Sequence, residues 1–137
     1  MEPVNPQSKT ILVINEDKLI CDLFEMWLSQ QGFNVETSVG PQAANLVRTE
    51  ERQYDLVILE RMADEQGHAA VKELQDRLGE SAILFVVEDA LDSGSLEEIQ
   101  EEPNVKEVWQ KPINMKSMNT KIHEILGTAP KAPNFGN

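Results

Sequence analysis

Five short apolar runs, each followed by a stretch of helical periodicity, constrain this chain more than any other feature. They are "KTILVIN" at 9–15, "FNVETSV" at 33–39, "DLVILE" at 55–60, "AILFVV" at 82–87 and "VKEVWQ" at 105–110. Continuous apolar runs of this length suit strands buried on both faces, which is the situation of a parallel sheet. The segments between them read as helices. "DKLICDLFEMWLSQQG" aligns Leu19, Ile20, Leu23, Phe24, Trp27 and Leu28 on one stripe and closes on Gly32. "PQAANLVRTEER" opens with Pro41 near its first turn, and "HAAVKELQDRLG" ends on Gly79. "SLEEIQEE" takes Ser95 as its cap and stops before Pro103. "NMKSMNTKIHEIL" takes Asn114 as its cap and Met115, Met118, Ile122, Ile125 and Leu126 as its buried stripe.

Five βα units predict an α/β domain: a doubly wound, five-stranded parallel sheet with five helices covering both faces through right-handed crossovers. The working site of such a sheet lies at the C-terminal ends of its strands. Asn15, Glu16 and Asp17 follow the first strand there, Glu60 ends the third, Val87, Glu88 and Asp89 come at the fourth, and Lys111-Pro112 follows the fifth. Carboxylates and one lysine are thus brought together.

The 137 residues suffice for one domain. Its expected bounds are 9–127, between the polar, proline-containing segment 1–8 and the segment 128–137, which is rich in proline, glycine, alanine and asparagine. Twelve Lys plus Arg against 24 Asp plus Glu leave a net charge of −12, which repels phosphate backbones and anionic lipid. This argues against nucleic-acid binding by the domain. No apolar run approaches the ~20 residues of a membrane span. The single Cys21 and a polar N-terminus without secretory character point to a cytoplasmic protein.

The chain resembles the receiver domain of bacterial two-component response regulators, the phosphorelay modules whose motifs look like "ILVVDD", "DLVLLD", a hydroxyl residue and "KP" at the ends of the first, third, fourth and fifth strands. The likeness covers roughly residues 10–126, and it implies the flavodoxin-like strand order 2-1-3-4-5. It also implies roles: an acidic pair holding Mg²⁺ at Asn15-Glu16, the phosphoacceptor at Glu60, a hydroxyl switch at Val87, an aromatic switch at Val108 and a charge-balancing lysine at Lys111. The family's metal ligands would translate to Glu16, Glu60 and the carbonyl of Met62.

The residues at those positions change the chemistry. Asn15 replaces a carboxylate by a neutral amide, and Glu60 is a methylene longer than aspartate, a displacement of ~1 Å or more that can slow a reaction ~100-fold. Val87 offers a phosphoryl oxygen no hydrogen bond, and Val108 is not aromatic. The loop "ERMADEQG" is one residue shorter than the family's and lacks its Met-Pro, while Lys111-Pro112 is intact. The expectation is a pseudo-receiver: a non-enzymatic, non-phosphorylated signalling module that requires no cofactor, binds Mg²⁺ weakly or not at all, and carries Glu60 as a fixed-charge mimic. The competing reading is a divergent receiver phosphorylated on Glu60 or Asp17. A flavodoxin-like cofactor binder would need a Gly/Ser/Thr-rich loop where this chain has "NEDKLI".

The family's signalling face, made by its fourth helix, fifth strand and fifth helix, maps to about 95–125. Its charges are segregated, with Glu97 and Glu98 at one edge and Lys116 and Lys121 at the other. Docking of another signalling protein, or a homodimer, is expected there. His68 and His123 are read as structural or solvent-facing, and Cys21, Trp27 and Trp109 as core.

Overall fold

A computed structural model describes residues 9–39, 54–87 and 93–129. Five strands form one sheet: β1 (Thr10–Asn15), β2 (Asn34–Val39), β3 (Leu56–Arg61), β4 (Ala82–Val87) and β5 (Val105–Gln110). All pairings are parallel and the order is β2-β1-β3-β4-β5, as expected. Four helices are seen among the described residues: α1 (Lys18–Gln30), α2 (Glu65–Leu78), α3 (Ser93–Glu101) and α4 (Met115–Leu126). The expected helix at 41–52 lies outside the described residues.

Alternation along the central strands builds two cores. Leu12, Ile14, Val57, Leu59, Ile83, Phe85 and Val87 face Val71 and Leu74 of α2 and Ile99 of α3. Ile11, Val13, Leu56, Ile58, Leu84 and Val86 face Cys21, Phe24 and Leu28 of α1 and Met118, Ile122 and Leu126 of α4. The strands β1, β3 and β4 are buried almost throughout. Two-sided burial of this kind is what their unbroken apolar runs require.

Local chemistry explains the helix bounds. Asp17 caps α1 by accepting from the Leu19 amide, and Asn114 caps α4 by accepting from Ser117. Asp64 caps α2 by accepting from Gly67, so this helix starts at Glu65, three residues ahead of the expected His68. Nor is Ser95 the cap of α3. That helix begins at Ser93, which leaves Ser95 buried inside it.

Two expected stripes are narrower than their periodicity suggested. In α1 the buried residues are Cys21, Phe24 and Leu28, with Ile20 and Trp27 partly buried, while Leu19 and Leu23 face solvent. In α4 Met115 is exposed. A helix lying on a sheet buries only the sector that meets it, and α1 has more apolar residues than that sector holds.

Candidate functional site

At the C-terminal ends of the strands a cleft is lined by Asn15, Glu16, Asp17, Lys18, Ile20, Glu60 and Lys111. Sheet register determines who meets whom. Ile14 pairs with Leu59, so one step further Asn15 lies beside Glu60, and two steps further Glu16 lies beside Arg61. Successive strand residues face opposite sides. Glu16 and Glu60 line the same cleft, each beside a different cation.

The Glu60 carboxylate is 9% exposed and lies 3.0 Å from Lys111 Nζ. Lys111 follows β5, two strands away from β3, a gap of two ~4.8 Å spacings that its side chain crosses over the end of β4. The extra methylene of glutamate closes part of that gap. Lys111 joins Pro112 through a cis peptide bond. On the other side Glu16 Oε1 lies 3.7 Å from the Arg61 guanidinium.

The loop after β1 is organised by its own side chains. Asn15, only 3% exposed, accepts from the Asp17 amide through Oδ1 at 2.9 Å, and Asp17 accepts from the Leu19 amide at 2.9 Å. The Asp17 and Leu19 amides are thus engaged by side chains of the same loop. Cys21 donates weakly to the carbonyls of Asn15 and Ser38, 3.9 Å away in each case. Burial pushes its thiol pKa up, which suits a core residue and not a nucleophile.

Val87 is buried in the core on the α2–α3 side of the sheet and Val108 packs partly buried against it. The Met62 carbonyl lies against Gly67 so closely that a Cβ there would overlap it. Mg²⁺ needs several oxygens in near-octahedral array. Of the oxygens that the resemblance assigns to such an ion, Glu60 faces Lys111, Glu16 lies 3.7 Å from Arg61 and the Met62 carbonyl packs on the first turn of α2. Among the described residues that line the cleft, Glu16, Asp17 and Glu60 give −3 and Lys18 and Lys111 give +2, a sum of −1, with Arg61 beside Glu16. Among the described residues no group of three His, Cys, Asp or Glu is placed to hold a metal ion.

Sequence reasoning missed Arg61. Strand alternation alone assigns it to the face opposite Glu60, and only the β1–β3 register reveals Glu16 waiting there. His68, read as structural or solvent-facing, has its ring nitrogens against two carboxylates of the α3 region, Nδ1 with Glu98 at 3.1 Å and Nε2 with Glu102 at 3.3 Å. On the expected docking face Lys121 is held by Glu124 at 3.0 Å and by Glu107 at 3.4 Å. Glu98 is turned towards α2, while Glu97 and Lys116 are exposed.

No protein-family model and no curated protein matches the sequence. Solved structures do. The non-phosphorylated receiver domain of HemR from Leptospira biflexa superposes with a TM-score of 0.68 at 22% identity, covering 93% of this chain and 99% of that one. The fold is that of a receiver domain. A response regulator from Thermotoga maritima gives 0.72 at 15% identity, over 88% of this chain and 98% of that one. The receiver domain of a sensor histidine kinase from Pseudomonas aeruginosa, which has a magnesium ion coordinated in its active-site cleft, gives 0.66 at 18% identity over 88% and 98%.

Proposed function

We propose that this chain is a pseudo-receiver, a signalling module that works by protein–protein interaction with its cleft held in one charge state. The observation that carries the reading is the Glu60–Lys111 ion pair, 3.0 Å long with its carboxylate nearly buried. Glu60 supplies one negative charge and two acceptor oxygens, against about −1.5 to −2 and three for a phosphoryl group. It imitates a phosphorylated acceptor in part, and permanently.

The module needs neither metal nor catalysis in this reading. The partner is another signalling protein, which docks on the surface formed by α3, β5 and α4. Surface ion pairs contribute only ~0–1 kcal/mol each, so Glu97 and Lys116 set register and on-rate while apolar contacts hold the complex. No helix among the described residues is long and apolar enough to cross a membrane, and the net charge of −12 disfavours nucleic acid as a ligand of this domain.

Intact-mass measurement after incubation with acetyl phosphate and Mg²⁺ tests the reading. The expected result is an unchanged mass. A gain of one phosphoryl group that disappears in Glu60→Gln or in Asp17→Asn would identify a divergent but working receiver and overturn it.

A further inference from the structure

His68 on α2 stands between two carboxylates of the α3 region, with Nδ1 3.1 Å from Glu98 and Nε2 3.3 Å from Glu102. An ionised carboxylate accepts and cannot donate, so each contact asks for a proton on the ring nitrogen. An imidazole with one proton satisfies one contact and sets a lone pair against the other. The two arms are not equivalent. Glu102 is 17% exposed, and its second oxygen accepts from Gln75 Nε2 at 3.1 Å, so α2 holds it through both oxygens. Gln75 is fixed in turn, accepting from the Asn104 amide at 3.2 Å. Glu98 is 63% exposed, with water as its alternative partner.

We propose that His68 is a proton-operated latch between α2 and α3: with both ring nitrogens protonated it holds Glu98 and Glu102 together, and on losing the Nδ1 proton to solvent it keeps Glu102 and releases Glu98. The other charged groups nearby are engaged elsewhere or solvated. The strands beneath α2 turn apolar side chains towards it, and Arg61, on the same face of β3, pairs with Glu16. On α2 itself the Asp64 carboxylate accepts from the Gly67 amide, and Lys72, one turn beyond His68, is exposed. On α3 Glu97 and Glu101 are exposed. His123 lies on α4, across the sheet.

The sign of the pH dependence follows. Both contacts favour the extra proton in the folded chain, so the latch contributes at the acid end of the histidine range, about pH 5–6, and is lost as pH rises towards about 8. Once released, Glu98 joins Glu97 on the exposed side of α3, and the lost proton makes the face proposed for docking more negative. That consequence rests on the docking reading, whereas the latch itself is read without a partner.

Nitrogen NMR of the His68 ring in the full chain, assigned against His68→Gln, tests the latch at about pH 5.5 and about pH 8. The expected result is a proton on both nitrogens at the lower pH and on Nε2 alone at the higher. The Glu98 carboxyl resonance should shift over the same interval in the parent and not in His68→Gln. In Glu98→Gln the amide N–H can donate to a bare Nδ1, so that arm no longer needs the second proton. Referred to His68→Gln, which keeps His123, the parent should gain a factor of about three in its folding equilibrium constant from about pH 8 to about pH 5.5, the size of one partly exposed ion pair, and Glu98→Gln should gain none. One proton on the ring at both pH values, two at both, or a proton on Nδ1 alone at the higher pH would overturn the proposal. So would a Glu98 resonance indifferent to His68, or a gain in Glu98→Gln equal to the parent's.

Discussion

The cleft and the outer face of α1 adjoin at the start of that helix, yet they treat their side chains in opposite ways. In the cleft the described charged groups are paired from within: Glu60 with Lys111 and Glu16 with Arg61, while Asn15 accepts from the Asp17 amide. On α1 the apolar groups Leu19, Leu23 and Met26 are left to solvent. A receiver that exchanges phosphoryl groups needs the reverse in its cleft, with carboxylates free to share a metal ion. Here the charged end is paired and the surface is open, which supports the proposed reading of a module that binds rather than reacts.

The largest expected effect breaks the packing behind the cleft. Gly67→Ala drives a methyl group into the Met62 carbonyl, and since backbone cannot give way as a flexible side chain does, a loss of about 3 kcal/mol in urea unfolding is expected. A loss under about 0.5 kcal/mol would mean that the Met62 carbonyl is free to turn towards the cleft.

Next comes the ion pair itself. Lys111→Met strands a nearly buried Glu60, and because Lys111 is partly solvated the expected cost is about 2 kcal/mol, below the 3–5 of a fully buried pair. Combining it with Glu60→Gln should recover most of that loss, because the stranded charge is gone. Additive losses in a double-mutant cycle would show that the two groups do not act as a pair.

A smaller effect is a pH slope unrelated to the cleft. His123 on α4 is buried, with Nδ1 2.6 Å from the Thr128 hydroxyl, and burial lowers its pKa. A histidine whose folded pKa is depressed contributes stability that is fully present above the unfolded value of about 6.5 and is lost as pH falls towards the folded value. His123→Gln should flatten the acid limb of stability against pH below about 6.5, whereas substitution of the exposed Met26 should leave it unchanged. Smallest of all, Leu19→Ser and Met26→Ser should each alter monomer stability by less than about 0.5 kcal/mol. A larger loss would place the α1 stripe among the core residues.

Strand positions were legible because β1, β3 and β4 are buried on both faces and their apolar runs say so directly, while the sheet order came from the family resemblance. The cap at Asn114 and the C-terminal glycine Gly79 also follow from local chemistry that needs no tertiary context. What could not be read was which part of an apolar stripe the sheet would cover. Leu19 and Leu23 satisfy helical periodicity as well as Phe24 does, and only the placement of α1 on the sheet separates them. The cleft was half legible for a related reason. Lys111 and Glu60 come from motifs at strand ends, whereas the Glu16–Arg61 pair depends on register between two strands 40 residues apart in sequence, and the meeting of His68 with Glu98 and Glu102 depends on how α2 and α3 pack.

Titration with Mg²⁺, followed through the backbone amides of Asn15, Glu16, Glu60 and Arg61 by NMR, addresses the closed cleft most directly. If the cleft is satisfied by its own ion pairs, those amides show no saturable shift up to about 10 mM Mg²⁺ at moderate salt, and Arg61→Ala, which releases the Glu16 carboxylate, makes a weak saturable response appear. Saturable binding by the unaltered chain with a Kd in the micromolar range would contradict the account, because it would show that Glu16 and Glu60 leave Arg61 and Lys111 for a metal ion.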